Sequence, residues 1–108
     1  MMRVHAFRDD ALGDDDALGL TERLRSGDVS AAELVEAAIA RAEAVNPALN
    51  GIAHEAFDRA RRQASTQQSG FFGGVPTFVK DNVDVAGMPT MQGTDAWEPR
   101  PARVHGDF

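Results

Sequence analysis

The chain has 108 residues, with 11 Lys and Arg against 17 Asp and Glu and a formal net charge of −6. That length fits one small domain, and the acidic balance argues against the basic footprint that non-specific nucleic-acid binding requires. There is no cysteine, so disulfides, thiol nucleophiles, thiolate zinc sites and iron–sulfur clusters are excluded.

The N-terminus is broken by charge (Arg3, Arg8, Asp9, Asp10) before an apolar signal core can form, and no apolar run approaches the ~18 residues of a membrane span. A cytoplasmic protein is the expectation. Residues 1–14 read as a disordered terminus carrying solvated aspartates. Asp9, Asp10, Asp14, Asp15 and Asp16 lack the glycine and distal glutamate of a calcium loop, and no metal is expected there.

From 15 to 68 the pattern is helical. A first helix is predicted over 15–26, with Ala17, Leu20, Thr21 and Leu24 on one face and Gly27 as its stop. Ser30-Ala31-Ala32-Glu33 is a capping box. The helix it opens carries a stripe of Leu34, Val35, Ala38, Ile39, Ala42 and Val45, and is expected to end at Asn46-Pro47 because proline disfavours helix in the residue before it. A third helix is predicted over 56–67, with Phe57, Ala60 and Ala64 inward and Arg59, Arg61 and Arg62 outward. His54-Glu55 begins like a zinc-protease helix, but Asp58 stands where the second histidine belongs.

Residues 71–94 change character. Gly70, Gly73 and Gly74 fit neither a phosphate loop nor a dinucleotide fingerprint, and no cofactor is implied; they read as turn glycines. Val75 to Val85 alternates with period two and predicts a strand, with Pro76 at its start. The expected fold class is therefore α/β, an α+β arrangement of helices followed by a strand. Residues 95–108 read as an irregular tail.

Lys80 is the only lysine in the chain. Lysine, unlike arginine, can lose its proton near neutral pH when desolvated. Alternation would put Phe78 and Asn82 on the face of Lys80, with Asp84 on the same side. Two readings stay open on these grounds: a strand-edge surface lysine, or a catalytic base. No Ser–His–acid pattern accompanies it.

The stretch Gly74-Val75-Pro76-Thr77-Phe78-Val79-Lys80-Asp81-Asn82-Val83-Asp84-Val85-Ala86-Gly87-Met88-Pro89-Thr90 resembles the amidase signature family, which includes bacterial amidases, fatty-acid amide hydrolases and the A subunit of glutamyl-tRNA amidotransferase. The Arg-Ser-Gly-Asp-Val-Ser-Ala-Ala-Glu-Leu and Ala-Val-Asn-Pro-Ala-Leu-Asn segments also resemble its N-terminal helices. The resemblance implies a mixed-sheet α/β/α fold, of which residues 1–108 would be an incomplete N-terminal portion. It further implies a Ser–cis-Ser–Lys triad acting on the C–N bond of a small-molecule amide, with Lys80 as the triad lysine. Neither serine of that triad is matched, since the serines here are Ser26, Ser30, Ser65 and Ser69, all before Lys80. Phe71-Phe72 replaces the usual Pro-Leu and Gly93-Thr94 the usual Gly-Ser. The expectation is an amidase fragment that hydrolyses nothing alone and is marginally stable. The alternatives are half of a split amidase, completed by a chain carrying the serines, and a small acidic α+β binding module.

Overall fold

The computed structural model describes residues 3–107. Met1 and Met2 of the expected disordered terminus, and Phe108 of the expected tail, lie outside the described residues. Three helices are present among them, α1 (Ala17–Ser26), α2 (Ala31–Leu49) and α3 (Phe57–Ala64). The described residues form two compact units, one made of residues up to Asn50 with Ala56–Pro76, the other of Gly51–Glu55 with residues from Thr77 onward.

All three helices lie in the first unit. Asp16 caps α1, its carboxylate accepting the Gly19 N–H at 2.9 Å. Gly27 ends the helix at φ 77°. Its N–H bonds Leu24 O and the Asp28 N–H bonds Arg23 O, a Schellman closure that favours glycine. Ser30 and Glu33 form the reciprocal box at the start of α2. Leu20 and Thr21 of α1 are buried, as are Leu34, Val35, Ala37, Ile39 and Ala42 of α2. The core centres on Leu20, Val29 and Leu34, with Ala11, Leu12, Leu24 and Val75 packed against it.

Two helix ends differ from expectation. The α2 helix runs through Pro47 to Leu49, where Asn50 takes a left-handed conformation (φ 48°) and its N–H bonds Asn46 O at 2.7 Å. So close to the C-terminus, proline forfeits one hydrogen bond but leaves a turn that Asn50 can still close. The α3 helix stops at Ala64 rather than 67. The hydroxyls of Ser65 and Thr66 donate back to Arg62 O and Gln63 O, taking carbonyls that a continuing helix would use.

The acidic N-terminal stretch is tied to α2. Arg41 donates from Nε and Nη2 to the Asp10 carboxylate at 2.7 and 2.6 Å, and also to Arg8 O and Gly13 O. In the segment after α3, Gly73 approaches Gln68 so closely that a Cβ would lie 2.7 Å from its carbonyl oxygen, and Gly74 sits at φ 94° beside Leu24 and Ala31. Phe71 packs edge-on to Phe72 at 4.8 Å and lies under the Arg25 guanidinium at 4.6 Å.

The predicted strand over Val75–Val85 is not formed. Among the described residues there is no strand at all, only isolated bridges pairing Ala86 with Ala102 and Pro89 with Pro101. The run is without regular structure to Lys80 and then turns, with the Val83 N–H on Lys80 O. Alternation specifies which faces a strand would present, whereas a ladder also needs a neighbour. The described architecture is thus a small helical one, and no helix among these residues is long and apolar enough to cross a membrane.

Candidate active site around Lys80

Lys80 lies in the second unit, at the point where the irregular run enters its turn. Its side chain is exposed and has no hydrogen-bond or ion-pair partner among the described residues. By contrast, Arg23, Arg41 and Arg61 are all held by carboxylates. Lys80 borders a cleft of about 560 Å³ with largely apolar walls. Phe78 stands on the same cleft, as do Ile52 and His54 from the Gly51–Glu55 segment, and Val85 and Met88.

The loop that carries Lys80 is fixed by its neighbours. The Asp81 carboxylate accepts the Met91 N–H at 2.7 Å, and its carbonyl accepts the Gln92 N–H at 3.1 Å. The Asp84 carboxylate receives the Thr90 hydroxyl at 2.5 Å, while its carbonyl receives the Gly106 N–H at 2.8 Å. His105 accepts the Ala86 N–H at Nδ1 (3.1 Å). The Gly87 N–H bonds Ala102 O and the Ala102 N–H bonds Met88 O, closing the Val85–Met88 turn onto the tail. Residues 81–106 are therefore cross-tied through backbone groups, two aspartates and His105, not through apolar burial.

Of the residues expected to surround the lysine, Phe78 is brought to its cleft. The Asp84 carboxylate is turned to Thr90, and Asn82 is exposed. The face assignments fail with the strand on which they rested. The wall from Gly51–His54 and the Asp81–Met91 bond were not foreseen; the first joins segments far apart in the chain, the second spans ten residues, and neither has a local sequence signature. Among the described residues no group of three or more His, Asp or Glu is disposed to hold a metal ion. Chemically, the arrangement presents an unpaired amine beside an apolar cleft, held on a tied loop.

Residues 33–108, the larger part of the chain, match the family model described as Amidase. The chain belongs to the amidase family. It is 65% identical over 108 residues to "Putative amidase AmiC" of Mycobacterium leprae (strain TN), covering 100% of this chain and 23% of that protein. Identity to the 6-aminohexanoate-cyclic-dimer hydrolase of Pseudomonas sp. (strain NK87) is 47% over 66 residues, covering 61% of this chain and 13% of that one. Identity to the indoleacetamide hydrolase of Bradyrhizobium diazoefficiens is 38% over 88 residues, covering 74% of this chain and 17% of that one. The chain therefore spans 23% of the M. leprae amidase relative. No solved structure matches it.

Proposed function

We propose that the chain is the N-terminal portion of an amidase-family hydrolase and supplies the proton-accepting lysine, Lys80, for cleavage of a small-molecule amide. The observation that carries this is the position of Lys80. It is the sole lysine of the chain, it stands within the family-matched stretch, and its amine is unpaired and open to an apolar cleft.

In this reading Lys80 Nζ, in its neutral form, takes a proton relayed through a bridging serine from a second serine. The second serine attacks the amide carbonyl. The C–N bond breaks, the proton leaves with the amine, and water then releases the acid from the acyl-serine. No serine follows Ser69 in this chain, so both serines would come from further amidase sequence, and the chain hydrolyses no amide alone. The Thr77–Lys80 run would find its strand partners in a mixed sheet built with that same sequence.

The test is hydrolysis of a panel of simple amides by the purified chain, alone and mixed with the part of the M. leprae relative that it does not cover. No turnover is expected from the chain alone. Turnover in the mixture should fall about a thousandfold or more on Lys80→Ala, within the range of losses seen for catalytic residues. Turnover by the chain alone, or a fully active Lys80→Ala mixture, would refute the proposal.

A further inference from the structure

We propose that Asp81 is the positioning residue for Lys80, clamping the lysine's backbone to the Met91–Gln92 turn and keeping its own carboxylate away from the amine. The inference rests on the reading of Lys80 as the proton acceptor.

Asp81 is the immediate neighbour of Lys80 and uses both of its acceptors on two consecutive amides. Its carboxylate takes the Met91 N–H at 2.7 Å and its carbonyl the Gln92 N–H at 3.1 Å. The residue is half-buried, whereas Lys80 is exposed. On the other side, Lys80 O accepts the Val83 N–H at 3.1 Å, so the lysine's backbone is pinned between two turns. The partner turn is itself closed by the Thr94 N–H on Met91 O at 3.3 Å. Gln92 holds φ 59° there, a left-handed conformation that residues with a Cβ adopt only where surrounding bonds impose it.

The chemistry explains why such a clamp matters. A carboxylate one residue from a proton-accepting lysine is a hazard, because an ion pair would keep the amine charged and unable to accept a proton. Here the carboxylate is occupied by a backbone amide, and no Lys80–Asp81 ion pair is among the salt bridges of the described residues. Asp81 thus fixes where the amine starts from while leaving it unpaired. The residue acts through Lys80 and through the backbone, with no role for it at the reacting atoms.

Backbone relaxation by NMR on the full chain tests the clamp directly, with Asp81→Ala and Asp81→Asn compared to the parent. The expected order parameter at Lys80 is near the rigid value of about 0.85 in the parent and below about 0.6 in Asp81→Ala. Asp81→Asn keeps an acceptor oxygen and should restore it, with the α2 amides unchanged in all three. In the complemented enzyme, Asp81→Ala should lower kcat about tenfold or more with KM within about twofold, and Asp81→Asn should recover most of the loss. An unchanged Lys80 order parameter in Asp81→Ala would overturn the proposal. So would an Asp81→Asn protein no better than Asp81→Ala, or a loosening that extends equally to α2. A Lys80→Ala enzyme that stayed active while Asp81→Ala still loosened Lys80 would instead remove the lysine reading, and with it the positioning role, leaving the clamp as architecture only.

Discussion

Arg41 and Asp10 lie 31 positions apart, yet form a half-buried ion pair, with side chains 13% and 19% accessible. The guanidinium engages both carboxylate oxygens, a geometry that outweighs the ordinary surface pair. Arg41→Ala is expected to cost about 1–3 kcal/mol, read as a lowered urea midpoint of the helical signal. The bond to Arg41 holds the Asp10 carboxyl below its ordinary value. A lowered folded-state value means that this stabilisation is complete above the unfolded carboxyl's titration and is lost as pH falls through the folded one. The parent should therefore lose stability on acidification below about pH 4 more steeply than Arg41→Ala. Lys80→Ala should change stability by less than about 0.5 kcal/mol, because the side chain is exposed and unpaired. At this scale the sequence singled out Lys80 as a candidate, through its singularity and its motif. The Asp10–Arg41 and Asp81–Met91 bonds were hidden, because neither pair recurs at a helical or strand period and only tertiary placement joins them.

The helices were legible where a cap announced them. Ser30→Ala removes the acceptor for the Glu33 N–H and is expected to cost about 1 kcal/mol, measured as loss of helical ellipticity and of urea midpoint. The rule that failed was the one against Pro47. It describes the residue before proline in isolation, whereas here the helix has only two residues to go and Asn50 supplies a left-handed close. The strand failed for a different reason. Alternation over Val75–Val85 records the faces a strand would offer, and no segment among the described residues pairs with it as a ladder. At the junction before it, Gly74→Ala would place a methyl 3.3 Å from both the Ala31 Cβ and a Leu24 methyl, at φ 94°. A loss of about 1–3 kcal/mol is expected, visible in the same urea transition.

Over the whole molecule, every buried residue among those described belongs to the helical unit. The second unit holds its shape through hydrogen bonds between partly exposed groups, and it displays Phe78 at 70% and Val104 at 72% accessibility. Cross-ties without a buried core give low local stability. Trp97, the single tryptophan, lies in this unit. Its fluorescence should change at a lower urea concentration than the helical ellipticity, and coincident transitions would show one cooperative body instead. The path of the backbone through the two units adds a constraint of timing. The chain leaves the helical unit after Asn50, contributes Gly51–Glu55 to the second, returns for α3, and departs again after Pro76. During synthesis at roughly 5–20 residues per second, Gly51–Glu55 emerges about 1–4 s before the first of its later companions. A ribosome would thus release α1 and α2 able to pack at once, followed by a five-residue wall whose counterpart does not yet exist, and no single cut through the polypeptide could separate the two units cleanly.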